Sequence, residues 1–178
     1  MREHFLLDTG PLLEFLVLRY QAESKRLWPG GTFQFQALLT PLDREDFEKF
    51  VKANRGYLGT SSGVITEMHG FLQRAEREMP PQARKDLKHG FWGLVCATFR
   101  DLEMDERTVP VVEMAEQVLA DFGPTDAGLL ALAMRSVNKA DGGIVVLTAD
   151  RGLLELCRRH AIHAEYVPDR LGEFRKPV

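Results

Sequence analysis

The sequence predicts an α/β fold, in which a central, mainly parallel sheet lies between two layers of helices as a three-layer α/β/α sandwich. The run Ile144–Thr148 is continuously apolar until its last residue, which is typical of a strand buried on both faces of a parallel sheet. Segments with helical periodicity separate it from the short apolar runs His4–Leu7 and Ala164–Val167, and such crossover helices join parallel strands. The 178 residues suffice for one domain, so we expect a single domain over residues 1–178.

The first part of the chain predicts one strand followed by helices. After the strand His4–Leu7, Pro11 suits the first turn of a helix, where its missing N–H costs nothing. A second helix is predicted over Thr40–Asn54, with Asp43 as its N-cap. The stretch of about residues 19–57 therefore resembles a helical insert between the first strand and the next core element.

The rest of the chain predicts further helices and strands bounded by Gly, Pro and Ser signals. Gly90 and Gly93 weaken the helical prediction around them. The predicted helices are Val64–Met79, Gln82–Arg100, Glu113–Phe122, Ala127–Val137 and Arg151–His160. A serine is expected to cap the first of these, and Thr125 is expected to cap Ala127–Val137. A short strand is predicted at Thr108–Val112.

Composition and charge exclude few classes of function. The formal charge is −3, which is unlike most nucleic-acid-binding domains, but a carboxylate-rich metal site can mask a basic rim elsewhere. Cys96 and Cys157 lie in apolar surroundings and predict buried, reduced thiols rather than a disulfide or zinc site. The N-terminal residues do not form a signal peptide, and no apolar run is long enough to span a membrane, so we expect a cytoplasmic protein.

Four acidic residues follow strands or open helices. Asp8 and Asp150 end the two clearest strands, in LLDTG and VLTAD, while Glu67 and Asp126 lie near helix starts, in SSGVITEM and GPTDAGLLALA. In a parallel sheet, strand C-termini and the following helix N-termini share one edge, so the four carboxylates could converge. Converging carboxylates repel one another unless a cation neutralises them, and Mg²⁺ and Mn²⁺ prefer oxygen ligands. The pattern therefore predicts a Mg²⁺ or Mn²⁺ site suited to phosphodiester hydrolysis.

These motifs resemble the PIN-domain nuclease family, including its VapC-type toxin ribonucleases. The resemblance rests on HFLLDTGPLLEFL, GVITEMHGFL, GPTDAGLLALAM and VVLTADRGLLELC, which follow the family's order and cover the core of the chain. It implies a PIN-like fold and an acidic site in which Asp8, Glu67, Asp126 and Asp150 hold the metal and carry catalysis. Thr148, two residues before the last acid, matches the family as well.

The resemblance also implies a function and partners. It points to an endoribonuclease whose products carry 5′-phosphate and 3′-hydroxyl ends, with RNA as substrate, often as a homodimer. A toxin of a toxin–antitoxin pair would have a small antitoxin protein as its partner. The chain departs from the small toxin-like members because 59 residues separate Asp8 from Glu67. The extra segment, between Arg19 and Tyr57, could alter the substrate groove or an oligomer interface.

Each acid also has an ordinary structural explanation. Asp8 could be a turn residue at a strand end, and Glu67 an exposed acid on a helix. Asp126 could serve the helix dipole, and Asp150 could cap the helix that begins at Arg151. Capping and metal binding do not exclude each other.

Three other residues near these acids have open roles. Thr9 and Thr148 could hydrogen-bond a site carboxylate or a metal-bound water, or do nothing chemical. Arg151 could reach a phosphate or only face solvent at the start of its helix.

Two alternative functions remain to be compared with a nuclease. A PIN-like RNA-binding or interaction module without catalysis would keep the fold, although such modules lose acids and all four are present here. A haloacid-dehalogenase-type phosphatase would need an Asp two residues after Asp8, where this chain has Gly10.

Overall fold

The computed structural model describes residues 3–24, 41–77, 79–98, 116–137 and 143–173. Within these ranges, four strands form a single sheet in the order β2-β1-β3-β4, and every neighbouring pair is parallel. The strands are β1 (His4–Leu7), β2 (Leu58–Gly59), β3 (Ile144–Thr148) and β4 (Ala164–Tyr166). The helices are α1 (Thr9–Ser24), α2 (Pro41–Ala53), α3 (Ser62–Ala75), α4 (Pro81–Thr98), α5 (Glu116–Val137), α6 (Arg151–Arg159) and α7 (Val167–Glu173), with a short 3₁₀ turn at Arg55–Tyr57.

The two central strands are buried on both faces of the sheet. Phe5, Leu6 and Leu7 of β1 are all buried, as are Val145 to Thr148 of β3. Successive residues of a strand point to opposite faces, so a strand buried at every position must be covered from both sides. The continuous apolar runs thus confirm the predicted α/β class with a parallel sheet, and the burial is compatible with three layers.

The topology explains how helices reach both faces. The connection from β1 to β2 moves across the sheet in one direction, and the connection from β3 to β4 moves in the other. Parallel crossovers are right-handed almost without exception, and right-handed connections that run in opposite directions lie on opposite faces of a sheet. By this rule α1 and α2 are expected on one face and α6 on the other, which is compatible with three layers.

The predicted strands β1, β3 and β4 are confirmed, while two short elements were not predicted. Strand β2 has only two residues, one of them Gly59, and lies where the pattern indicated a turn. Helix α7 begins directly after β4, at Val167, which was assigned to that strand. Elements this short carry too few residues for a hydrophobic period to be visible.

The predicted helices are present with shifted ends. Helix α1 continues to Ser24, so its last residues belong to a regular helix rather than to an irregular insert. Helix α2 begins at Pro41, which puts Asp43 inside its first turn instead of at the N-cap. Helix α3 ends at Ala75, four residues before the predicted end. Residues 25–40 of the predicted insert lie outside the described residues, and so does the predicted strand Thr108–Val112.

Helix α5 joins two predicted helices across a kink. Gly123 has φ 79° and ψ 174°, a conformation that is not helical and that side-chain-bearing residues rarely adopt. The glycine thus separates two helical segments, as its position between the two predicted helices implies. The second segment already includes Thr125, so this residue lies inside the helix and is not its N-cap.

The two cysteines are free, but only one is buried. Cys157 lies on the buried side of α6, as predicted. The prediction for Cys96 is wrong, because it is exposed on α4. The buried side of α4 carries Leu87, Phe91, Leu94 and Val95, and Cys96 falls just outside this helical stripe. Within the described part of the chain, no helix is long and apolar enough to cross a membrane.

Helix α4 runs unbroken through both glycines that weakened its prediction. A Cβ added at Gly90 would lie 2.8 Å from Cε2 of Tyr20, a buried ring on α1. The missing side chain at this position therefore allows α1 and α4 to pack closely. A Cβ at Gly93 would meet nothing within 4 Å.

We expect Gly93→Ala to raise the free energy of unfolding by about 1 kcal/mol, since alanine is that much better than glycine inside a helix. Gly90→Ala offers the same gain in helix propensity but must displace the Tyr20 ring, so its effect should be smaller or destabilising. Urea denaturation of the two variants and the parent measures the difference. Equal gains at both positions would contradict the close packing at Gly90.

Candidate active site

Asp8 lies directly after β1 at the carboxyl edge of the sheet. Its backbone N–H donates to the carbonyl of Leu147 over 3.0 Å, which continues the β1–β3 pairing by one residue. Its carboxylate is buried, with 7% of the residue exposed. Oδ1 accepts a 2.6 Å bond from the N–H of Thr9, and Oδ2 accepts a 2.7 Å bond from the hydroxyl of Thr148. Both carboxylate oxygens of Asp8 are thus held, one by the first residue of α1 and the other by the last residue of β3.

The hydroxyl of Thr148 connects two of the acids. It is fully buried at the end of β3 and donates to Asp8 Oδ2. The same oxygen accepts a 2.9 Å bond from the backbone N–H of Asp150. Because a hydroxyl has one proton, its donation to Asp8 fixes its direction and leaves a lone pair for the N–H. The role left open for Thr148 in the sequence is therefore to orient the chain around Asp8 and Asp150.

Asp150 is the N-cap of α6. Its Oδ1 accepts from the N–H groups of Gly152 (2.6 Å) and Leu153 (3.2 Å), and its side chain is exposed. The cap explains the residue structurally, as the sequence allowed. It uses only one carboxylate oxygen, and Oδ2 takes no part in it, so the cap does not prevent the residue from also binding a cation.

Glu67 reaches this edge from α3. Its Oε2 accepts a 2.7 Å bond from the hydroxyl of Thr9, the residue after Asp8. Helix α3 begins at the same edge, soon after β2 ends. Ser61 is its N-cap, and the Ser61 side chain accepts a 3.2 Å bond from the N–H of Val64. Thr9 therefore contacts two acids, with its N–H on Asp8 and its hydroxyl on Glu67.

Helices α3 and α5 approach closely where each carries its acid. A Cβ added at Gly63 would lie 3.2 Å from the Cα of Thr125, the residue before Asp126. The absence of a side chain at Gly63 thus lets the start of α3 lie against the second segment of α5. The contact brings Asp126 towards the other three carboxylates.

The pKa of Asp126 is raised from its ordinary value to about 7. Burial is the largest cause, and the negative charges of Asp8, Asp150 and Glu67 raise it further, in that order. The pKa of Asp8 is also raised, first by burial and less by the charges of Glu67 and Asp150, against the lowering effect of its bonds from Thr148 and Thr9. Asp8, Glu67 and Asp150 are therefore all near enough to Asp126 to raise its pKa, which places the four predicted acids at one edge.

The chemistry of this donor set fits Mg²⁺ or Mn²⁺. Every donor is a carboxylate oxygen. The pKa of Asp126 is raised first by burial and then by neighbouring negative charges, and a cation would balance those charges. Among the described residues, no three His, Cys, Asp or Glu side chains stand together closely enough to hold a metal ion as a group. Mg²⁺ does not need such a cage, since it is commonly held by one or two carboxylates and retains several waters.

Cys157 lies close behind the acids and takes no part in their chemistry. Burial raises the pKa of its thiol to about 11, and the charges of Asp126 and Asp8 add to the effect. A thiol in this state is protonated and unreactive near neutral pH. Its proximity to Asp8 and Asp126 was not visible in the sequence, where it is one more apolar position on α6.

Comparison of the chain with protein-family models, with curated proteins and with solved structures gives no match. The argument for function therefore rests on the geometry and charge of this edge, together with the motifs in the sequence.

We expect Thr148→Val to lower the free energy of unfolding by about 1–3 kcal/mol, because the N–H of Asp150 and the carboxylate of Asp8 lose a buried partner. Thr148→Ser keeps the hydroxyl and is the matched control, which should retain both hydrogen bonds. Urea denaturation at pH 7 measures the comparison. If the serine variant were destabilised as much as the valine variant, packing of the methyl group would be the important contribution instead.

The raised pKa of Asp126 predicts a pH dependence of stability in the metal-free protein. Between its unfolded pKa near 3.8 and its folded pKa of about 7, the folded state binds more protons, so stability falls as pH rises through this window. Asp126→Asn removes that titration, and the fall between pH 5 and pH 8 should be smaller than in the parent. Urea denaturation in EDTA measures both slopes, and identical slopes would show that Asp126 titrates normally.

Proposed function

We propose that this protein is a metal-dependent nuclease of the PIN type, an endoribonuclease with a PIN-like three-layer α/β/α fold. The observation that carries the proposal is the proximity of four carboxylates at the carboxyl edge of a parallel sheet, where burial and then the charges of Asp8, Asp150 and Glu67 raise the pKa of Asp126 to about 7. Such an edge is the usual ligand position in open α/β sheets. The order of the motifs supports the same assignment.

In this proposal, Asp8, Glu67, Asp126 and Asp150 form the site for Mg²⁺ or Mn²⁺, with one or two of these carboxylates bound to the metal directly and the others bound through its waters. The bound metal would supply an activated water and would stabilise negative charge on the phosphoryl oxygens during in-line displacement. Thr148 keeps the Asp8 carboxylate oriented through its 2.7 Å bond.

The threonine after the first acid has a comparable positioning role. Thr9 holds the Glu67 carboxylate through its 2.7 Å bond and so fixes the distance between α3 and the end of β1. Rigid placement of the acids lowers the reorganisation needed when substrate binds. Threonine hydroxyls therefore hold Asp8 and Glu67, and Asp150 is held as a helix cap. Asp126 is the fourth acid of the site.

The finer assignments follow from the resemblance alone. They are RNA as substrate, a toxin–antitoxin role with a small antitoxin protein as partner, and a homodimer. The segment of about residues 19–57 distinguishes this sequence from small toxin-like members, and we propose that it alters the substrate groove or an oligomer interface.

One observation favours the alternative of a non-catalytic PIN-like module that binds RNA or another partner. Among the described residues, no three acids are grouped closely enough to hold a metal ion together. A module of this kind would bind single-stranded RNA without needing a divalent cation and would not cleave it.

We expect the protein to cleave labelled single-stranded RNA with Mn²⁺ or Mg²⁺ and to be inactive in EDTA. Asp8→Asn and Asp126→Asn should each lower the cleavage rate by about a hundredfold or more, since even changes around a metal site's ligands cost up to that much. Gel analysis of end-labelled RNA and DNA of the same sequence measures rate, substrate class and product ends.

The matched control is Asp169→Asn, which removes an exposed carboxylate in the first turn of α7 that is not among the charges raising the pKa of Asp8 or Asp126. This variant should cleave at the parental rate. Cleavage that persists in EDTA or in Asp126→Asn would contradict a metal-dependent nuclease. Binding of RNA without cleavage under any metal condition would favour the non-catalytic module.

A further inference from the structure

An arginine–tyrosine pair stands at the same sheet edge as the acids. The guanidinium carbon of Arg151 lies 5.0 Å from the centre of the Tyr166 ring, within the range of a cation–π interaction. Arg151 is the first residue of α6 and is exposed, while Tyr166 is the last residue of β4 and is half-buried. The pair thus joins the start of a helix to the end of a strand.

The register of the sheet fixes how close this pair is to the acidic site. Tyr166 pairs with Thr148 across β3 and β4, and neighbouring strands lie about 4.8 Å apart. Thr148 is the residue whose hydroxyl holds Asp8. Arg151 follows Asp150 directly in the chain. Both members of the pair are therefore immediate neighbours of residues that build the site.

The guanidinium of Arg151 is stacked but not neutralised. In the part of the chain that the structure describes, it forms no ion pair, although carboxylates are close by. Its five N–H donors therefore have no described carboxylate as a partner. A planar guanidinium that contacts one aromatic ring can accept a second planar group on its other face.

Other described arginines that stack on aromatic rings differ from Arg151. Arg19 and Arg170 stack on phenylalanines, but each also forms an ion pair with a glutamate, over 2.8 Å and 3.1 Å. Arg74 stacks on Phe71 in the last turn of α3, two turns beyond Glu67. Among the arginine–aromatic pairs of the described residues, only the pair at β4 combines a guanidinium without an ion pair with a position at the carboxyl edge.

We propose that Arg151 and Tyr166 form a subsite for one nucleotide of a single-stranded nucleic acid, next to the phosphate at the acidic site. The edge of the guanidinium donates to a phosphate oxygen, and an unpaired base stacks on its outer face, as bases do on arginine planes. Tyr166 holds the guanidinium flat for both contacts. The inference rests on the proposed nuclease function, and it specifies that the strand must be unpaired at this position.

The test measures binding of the parent protein and variants to a fluorescent single-stranded RNA in EDTA, so that no metal-dependent cleavage intervenes. The same sequence as single-stranded DNA and as an RNA duplex provides two further ligands. Arg151→Ala should weaken binding of single strands by about tenfold, the loss expected for one stacked base. It should also lower the slope of log affinity against log salt by about 1, the contribution of one phosphate contact.

Variants separate stacking from charge. Tyr166→Phe keeps the ring and should bind like the parent, whereas Tyr166→Leu should weaken binding as Arg151→Ala does. Arg151→Lys keeps the charge but not the plane, so it should retain the salt slope and lose affinity. The matched control is Arg159→Ala, which removes an exposed arginine from the other end of the same helix and should change affinity by less than about twofold.

Equal losses for Arg151→Ala and Arg159→Ala would overturn the proposal, because general charge would then account for binding. Equal losses with duplex RNA, or no measurable binding of single strands by the parent, would overturn it as well. Binding that depends on Arg151 in a protein that never cleaves RNA or DNA would leave the subsite standing and reject the nuclease. Metal-dependent cleavage together with unchanged binding in Arg151→Ala would support the nuclease and reject the subsite.

Discussion

Repulsion among carboxylates is the constraint on which the site depends. Asp8 is buried beside the charges of Glu67 and Asp150, and its pKa is raised as a result. Hydrogen bonds from Thr9 and Thr148 offset part of this cost, because they stabilise the ionised form. At Asp126 the causes of the shift are burial and its three acidic neighbours, and its pKa rises to about 7. The folded protein thus holds its acids in a state that a divalent cation would relieve.

Hydrogen bonds between the buried strands position the same edge. Strands β1 and β3 pair over four residues, and the N–H of Asp8 extends that pairing to the carbonyl of Leu147. The hydroxyl of Thr60, at the end of β2, donates to the carbonyl of Leu7 over 2.8 Å and secures the third strand end. Asp8 and Asp150 therefore directly follow strands of the buried sheet, whereas Glu67 and Asp126 come from helices α3 and α5, which pack against each other where Gly63 meets Thr125.

The sequence predicts the parts of this arrangement that depend on local pattern. Continuous apolar runs identify β1 and β3, and the residues that end them identify Asp8 and Asp150. Strand β2 and helix α7 were missed because a period cannot be detected in a few residues. Cys96 was predicted to be buried from its apolar neighbours, whereas it falls just outside the buried stripe of α4. The contacts of Gly63 with Thr125 and of Arg151 with Tyr166 were also missed, because they join residues distant in the chain through packing alone.

A chain of formal charge −3 with an acidic centre must attract a polyanion locally if it binds nucleic acid. The net charge is uninformative here because screening limits each charge to about 10 Å at ordinary salt, so only groups beside the site matter. On this scale the acids need a cation at the centre and a fixed positive group at the rim. In the proposed function Arg151 is such a group, because it lies over the Tyr166 ring and forms no ion pair with the described carboxylates. Negative and positive charges at this edge would then be separate, as simultaneous binding of a metal and a phosphate by the proposed site requires.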